Sequence, residues 1–128
     1  MKRLIKAKQE ILGMARIGYL GKKDKQGLEV YINTDDNGDK PHVHVRHKDN
    51  WDEFHTCIRL DTAEYFLHDG KRDTFNSGQK KLFVQFMNTN LSGRFTGSIW
   101  DYCIYEWNRN NERHPMDENI QMPDYNSL

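Results

Sequence analysis

The chain has 128 residues, of which 36% are hydrophobic and 30% charged, and its formal net charge is zero. This length fits one domain with a core and excludes two of ordinary size, while six Phe, six Tyr and three Trp exclude a disordered chain. We expect a cytoplasmic protein, because no apolar run reaches membrane length, no secretory leader is evident, and two unpaired-looking Cys suit a reducing compartment.

The zero net charge hides an uneven distribution along the chain. Residues 1–25 carry eight Lys or Arg against two acids, while residues 101–128 carry six acids against two Arg. A solvated surface explains this pattern, and so does a basic end that binds nucleic acid or an acidic partner. Both interpretations stay open at this stage.

The first half of the chain predicts a helix and a β-hairpin. Apolar residues in 1–12 recur at helical spacing and predict an amphipathic helix. Residues 16–20 and 28–34 alternate with period two around a polar loop that has Gly at both ends, which predicts two paired strands. The cluster 35–39 predicts a turn.

Two further strands are predicted over residues 42–46 and 53–60. Their apolar residues alternate with polar ones, so the polar side chains should share one face, which comprises His42, His44, Arg46, Glu53, His55, Cys57 and Arg59. A hairpin centred on Asp49 and Asn50 would pair His44 with His55 and His42 with Cys57. A shift of two residues would keep the same face and change only the partners.

The second half of the chain predicts two helices and an irregular end. Residues 63–68 suggest a short fifth strand, and the spacing from Ser77 onward predicts a helix with Ser77 as N-cap. Residues 90–97 should break that helix, and Ser98 with Asp101 indicates a capping box for a second helix that ends near 108–111. Its apolar stripe places three residues in the core: Trp100, Cys103 and Trp107.

This order of elements predicts an α+β fold. We expect a single two-layer domain over residues 1–112, in which an antiparallel sheet of four to five strands is covered on one face by the N-terminal helix and the two C-terminal helices. Residues 113–128 should form an irregular acidic tail. The face that carries the histidines would then be left for solvent or a partner.

The histidine-bearing face offers three kinds of chemistry. His42, His44, His55 and Cys57 have the ligand types of a zinc site, although stacking and hydrogen bonding of histidines on a half-polar face explain them without a metal. A metal-independent ribonuclease would use imidazoles as acid and base and guanidinium groups to stabilise phosphate, which points to His42, His44, His55, Arg46 and Arg59. A partner surface would use Arg46, Arg59 and the loop residue Trp51.

The segment Pro41-His42-Val43-His44-Val45, which follows an Asp-rich turn, resembles a family of small bacterial domains whose hallmark is Pro-Pro-His-(Val or Phe)-His. The resemblance covers about residues 28–111, with Lys40 in place of the first Pro and Asn37 where a His is common. Members of that family often lie in toxin–antitoxin-like gene pairs or on mobile elements. The resemblance therefore implies a small accessory protein that acts through a protein or nucleic-acid partner.

We accordingly predict a binding protein of a bacterium or phage rather than an enzyme, with a protein partner, no cofactor and no membrane association. Three alternatives stay open: a ribonuclease-type toxin, a phage inhibitor of a host defence enzyme, and a zinc-stabilised structural domain. They differ in whether RNA is cleaved, a tight complex forms or a metal is bound.

Overall fold

A computed structural model describes residues 14–21, 27–33, 40–50, 52–66 and 73–128. The predicted helix over 1–12, the predicted turn over 35–39 and Trp51 lie outside these ranges. Within them the elements run β1 (Met14–Tyr19), β2 (Leu28–Asn33), β3 (His42–His47), β4 (His55–Arg59), α1 (Ser77–Met87), β5 (Asn90–Ser92), β6 (Thr96–Ser98) and α2 (Ile99–Asn110). A 3-10 helix, Tyr125–Ser127, follows. The predicted α+β class is confirmed.

The main sheet is antiparallel throughout, in the order β1-β2-β3-β4. Alternation divides its side chains between two faces. One face is apolar and packs into the core; it includes Leu28, Val30, Ile32, Val43, Val45 and Ile58. A bulge in β1 between Arg16 and Gly18 shifts the register there.

The expected register of the β3–β4 hairpin is wrong by two residues. His44 faces Cys57, His42 faces Arg59, and Arg46 faces His55. The cause lies in the connecting loop, where the Nδ1 atom of His47 accepts hydrogen bonds from the amides of Asp49 and Asn50, and the His47 amide donates to the carbonyl of Phe54. β3 therefore extends through His47 and the loop is longer than predicted.

The suggested fifth strand is a single bridge in the described part of 63–68. Tyr65 pairs with Ile58 in an isolated antiparallel bridge. On one side of it the backbone N–H of Arg59 donates to the carbonyl of Glu64, and on the other the backbone N–H of Phe66 donates to the carbonyl of Cys57. Ala63 has a φ of 62°. This left-handed conformation is unfavourable for Ala and turns the chain, so regular pairing with β4 cannot continue to Leu60.

Both C-terminal helices begin at capping boxes. The N-cap of α1 is Asn76 rather than the predicted Ser77, since the Asn76 side chain accepts from the Gln79 amide and the Gln79 side chain accepts from the Asn76 amide. The predicted box of α2, between Ser98 and Asp101, is confirmed. The segment predicted only as a helix breaker forms the β5–β6 hairpin.

Helix α2 crosses one end of the main sheet. The indole nitrogen of Trp100 donates to the carbonyl of Leu60 at 2.9 Å, and the amide nitrogen of Asn111 donates to the carbonyl of Asn33 at 3.0 Å. Cys103 and Trp107 are fully buried, as predicted. The helix is therefore anchored both beyond β4 and at the end of β2.

Residues 111–128 are irregular apart from the 3-10 helix, and they pack on the helices. The Met116 amide and carbonyl both bond to the Asn108 side chain, at 2.7 and 3.0 Å. Tyr125 is 2% exposed and meets the Phe83 ring edge-on at 5.3 Å between centroids. Met116 and Tyr125 are thus part of the hydrophobic core.

Candidate metal centre

The second face of the main sheet is polar across all four strands. Its side chains come from alternate positions that pair with one another across the sheet. We call this set the polar face; it comprises Arg16, Tyr19, Glu29, Tyr31, Asn33, His42, His44, Arg46, His55, Cys57 and Arg59. The predicted grouping of the histidines, Cys57 and the arginines of β3 and β4 on one face is confirmed by this pairing.

The expectation that this face is left for solvent or a partner is wrong at its centre. His42, His44 and Cys57 are at most 1% exposed, and Arg46 and His55 are 3% and 8% exposed. Aromatic side chains account for part of this burial, since the ring of His42 lies 4.8 Å from that of Phe66 and 5.3 Å from that of Trp107. The imidazoles therefore occupy the interior.

Three potential ligand atoms converge at this buried position. The ligand atoms of His42, His44 and Cys57 all lie within 4.8 Å of one another. The Nδ1 atom of His44 is 3.3 Å from Sγ of Cys57 and 3.1 Å from Nε2 of His55. Three of the four predicted ligands thus form one group, and the fourth, His55, contacts it through His44.

These separations are close to those in a zinc site. With Zn–N distances of about 2.05 Å and Zn–S of about 2.3 Å, the edges of a tetrahedron are about 3.3 Å between two nitrogens and about 3.6 Å between nitrogen and sulfur. The His44 contacts with His55 and Cys57 approach these values. The longest separation in the group, up to 4.8 Å, would have to shorten when an ion binds.

Backbone contacts set the tautomer of His42. Its Nδ1 atom lies 2.7 Å from the carbonyl oxygen of Lys40. A carbonyl oxygen can only accept, so Nδ1 carries the proton and donates it, and the lone pair of the neutral ring is on Nε2. A carbonyl partner of this kind is the usual orienting contact of a metal-binding imidazole.

The side chain of Asn33 contacts the Nε2 atom of His44, and the orientation of its amide is linked to the tautomer of the ring. Its Nδ2 atom is 3.2 Å from Nε2 of His44, while its Oδ1 atom is buried without a hydrogen-bond partner among the described residues. In this orientation Nδ2 donates to Nε2 of His44, which puts the ring proton on Nδ1. Turning the amide by 180° would let Oδ1 accept from Nε2–H instead, with Nδ2 in the buried position of Oδ1. The lone pair of His44 would then lie on Nδ1, which is the atom beside Cys57 and His55 and the one that a metal ion would need.

A charged cluster adjoins the imidazoles on the polar face. The Tyr31 hydroxyl donates to Oε2 of Glu29, and the Arg46 guanidinium lies 4.1 Å from the centroid of the Tyr31 ring. Burial lowers the pKa of Arg46, and the electrostatic interactions with Tyr31, Cys57 and Glu29 oppose that shift. The positive charge of Arg46 is held inside the protein and does not form an external surface for a partner.

Arg59 lies at the edge of the polar face and is half-buried. Its Nε and Nη2 atoms donate to the two carboxylate oxygens of Asp61, at 2.9 and 2.7 Å. A bidentate pair of this kind fixes the guanidinium in one orientation. Of the residues predicted to contact a partner, Arg59 is therefore tied to a neighbouring turn, Arg46 is buried, and Trp51 is outside the described residues.

The sequence analysis missed the contribution of β2. Glu29, Tyr31 and Asn33 alternate with Leu28, Val30 and Ile32, and this alternation was available in the sequence. The predicted strand depends only on the apolar half of this pattern. Extending the period to the polar half would have placed a carboxylate, a phenol and an amide beside the histidines of β3.

Comparisons of the chain with protein-family models, with curated proteins and with solved structures found no match. Among the described residues, neither helix is long and apolar enough to cross a membrane. The resemblance to the small bacterial domains therefore stays a prediction.

Proposed function

We propose that the chain is a small metal-binding domain in which His42, His44 and Cys57 hold a zinc ion that stabilises the sheet. His55 supplies the fourth ligand. The observation that carries this proposal is the convergence of two imidazoles and a thiol within 4.8 Å of one another at a buried position.

The donor set favours zinc over harder cations. Two imidazole nitrogens and a thiolate are ligands of zinc and of softer transition metals, whereas magnesium and calcium require oxygen ligands. The three-residue group contains no carboxylate. Burial favours a closed structural site, because a catalytic zinc ion keeps one position open to water and substrate.

The position of the group explains how an ion would stabilise the fold. His42 and His44 belong to β3 and Cys57 and His55 to β4, so one ion would link the two strands of a hairpin. An ion that binds the folded chain and not the unfolded chain increases the free energy of unfolding. It would also replace the internal hydrogen bonds between His44, His55 and Cys57.

A metal-free hydrogen-bond network is the competing explanation, and metal analysis distinguishes the two. We expect purified protein to contain one zinc per chain by elemental analysis, and chelator treatment to lower its melting temperature. Replacement of zinc by Co²⁺ should give the visible absorption of a tetrahedral site and a sulfur-to-metal charge-transfer band. Unchanged stability after chelation, with no uptake of added Zn²⁺, would contradict the proposal.

Cysteine variants offer a matched control. Cys57→Ser should abolish the charge-transfer band and reduce zinc content, whereas Cys103→Ser should leave both unchanged. Cys103 is equally buried but lies in α2, outside the three-residue group. Both substitutions place a hydroxyl in the interior, so comparison of the two separates loss of a ligand from general destabilisation.

A structural metal is compatible with the accessory binding role that the family resemblance implies. An internal ion leaves the outer surface of the domain available to a protein or nucleic-acid partner. The ribonuclease and inhibitor alternatives stay predictions. RNA could reach His42 and His44 only if the polar face opened, because both side chains are at most 1% exposed.

A further inference from the structure

A hollow lies beside α2, and none of its lining residues belongs to the proposed metal site. It has a volume of about 300 Å³ and is lined by Phe95, Asp101, Ile104, Tyr105 and Glu118. We call it the α2 hollow. Two aromatic rings, one aliphatic side chain and two carboxylates thus surround a single space, and the lining contains no basic residue.

The two rings that line the α2 hollow belong to a cluster of three, which also includes Tyr102. Phe95 lies 5.7 Å from Tyr105 and 5.2 Å from Tyr102, and the two tyrosine rings are 6.1 Å apart at an interplanar angle of 19°. Tyr105 is 43% exposed, which makes it the large hydrophobic residue most open to solvent in the described ranges. An exposed aromatic cluster of this kind is typical of a binding surface.

The two carboxylates retain capacity for a ligand. Oδ2 of Asp101 accepts from the amide and hydroxyl of Ser98, both at 2.9 Å, and these bonds leave Oδ1 of Asp101 available. The carboxylate of Glu118 is exposed and forms no hydrogen bond or ion pair within the described part of the chain. The hollow therefore presents unneutralised negative charge beside ring faces.

Arg109 is the basic residue of α2, and its guanidinium is bound by Glu106 and Tyr105. Its Nη1 atom lies 3.6 Å from Oε1 of Glu106. A hydrogen bond with the Tyr105 side chain, followed by the interaction with Glu106, raises the pKa of Arg109. The guanidinium thus contacts the side chain of Tyr105, which lines the hollow, and pairs with Glu106, and within the described residues it forms no ion pair with Asp101 or Glu118.

We propose that the α2 hollow binds a lysine or arginine side chain from a basic segment of a partner protein. A cation over an aromatic face is attracted by the ring quadrupole, and the two carboxylates add direct charge complementarity. The aliphatic stem of such a side chain would pack on Ile104 and Phe95. Nucleic acid is disfavoured here, because its phosphates would be repelled by Asp101 and Glu118.

The test uses the full chain and a fluorescent octalysine peptide, with octaglutamate as the negative probe, followed by anisotropy. We expect saturable binding of octalysine that weakens with salt. Tyr105→Ala and Glu118→Gln should each reduce affinity by about five-fold, which corresponds to about 1 kcal/mol. Tyr105→Phe, which keeps the ring, should bind nearly as well as the original chain.

Glu112→Gln is the matched control, since Glu112 is an exposed acid of the same segment that does not line the hollow. It should change affinity by less than about two-fold. Equal weakening by Glu112→Gln would indicate diffuse attraction to the acidic end and overturn the proposal, as would absence of saturable binding. Sedimentation that shows self-association abolished by Glu118→Gln would assign the hollow to a second copy of the chain and overturn the proposed partner.

Discussion

His44 and Cys57 face each other directly across β3 and β4, with Nδ1 of the imidazole 3.3 Å from the sulfur. Because the pair belongs to adjacent strands, its geometry is set by the backbone ladder and not by a mobile loop. A site built on strands is held more rigidly than one built on loops. This pairing is the structural basis of the proposed metal centre.

Metal affinity should fall as the pH is lowered. In the proposed site, His42 and His44 would bind the ion through neutral nitrogens and Cys57 through a thiolate, so protons would compete with the ion at each ligand. Because protonation of any of these ligands displaces the ion, we expect affinity to decrease as the pH is lowered from about 7 to about 5. Competition with a chromophoric chelator at several pH values measures this. Constant affinity across that range would show that imidazoles are not ligands.

Asn33→Ala should weaken metal binding although Asn33 is not a ligand. Metal binding through Nδ1 of His44 requires the ring proton on Nε2, where Oδ1 of the turned Asn33 amide would accept it, and loss of the amide removes that acceptor. Substitution of such an orienting residue commonly costs about ten- to a hundred-fold in metal affinity. The Co²⁺ spectrum should also change. Asn90 is an exposed residue of β5, so Asn90→Ala is the control and should leave the metal affinity and the Co²⁺ spectrum unchanged.

The position of the α1 N-cap can be tested by two adjacent substitutions. Asn76→Ala removes the side chain that accepts from the Gln79 amide and should reduce the free energy of unfolding by about 1 kcal/mol. This corresponds to a melting temperature lower by about 4 °C. Ser77→Ala should have little effect, because Ser77 is the first helical residue and not the cap. Thermal unfolding of both variants decides between the two positions.

The folded protein should lose stability under alkaline conditions. Burial raises the pKa of the Cys103 thiol above its ordinary value of 9.0, and burial raises the pKa of the Tyr125 hydroxyl above its ordinary 10.0. The folded state therefore keeps these protons when the unfolded chain releases them. These two groups therefore leave the free energy of unfolding unchanged below pH 9 and lower it as the pH rises through 9 and 10.

Denaturant unfolding between pH 7 and 11 measures this decline. Tyr125→Phe should reduce the loss of stability above pH 10. It also removes the hydrogen bonds that the hydroxyl donates to the carbonyls of Arg59 and Leu60. Tyr31 should contribute in the same range, because burial and its bond to Glu29 raise its pKa as well. A flat stability profile up to pH 11 would contradict the prediction.

The alternation of side chains in β3 and β4 was readable from the sequence, and so was the capping box of α2. These features depend on neighbouring residues and on a fixed period of two or on a spacing of three. The register was not readable, because it depends on how the ring of His47 and the carbonyl of Phe54 close the loop. A difference of two residues in loop closure leaves the face unchanged and alters every partner.

The burial of the polar face could not be read from the sequence either. Polar side chains in an alternating strand usually indicate a solvated face, and contacts such as that between His42 and Trp107 join residues far apart in the chain.

The β5–β6 hairpin was not predicted, for a different reason. Its strands have three residues each, which is too short for a period to be recognised.

The two anchors of α2 have a consequence for how the protein unfolds. Trp100 holds the carbonyl of Leu60 and Asn111 holds that of Asn33, so the helix spans strands that are not neighbours. If β4 opened locally, the hydrogen bond between Trp100 and Leu60 would break, while the bond between Asn111 and Asn33 would still hold the other end of the helix to β2. Slow amide exchange in β2, β4 and α2 should therefore be lost together, as a single cooperative unit.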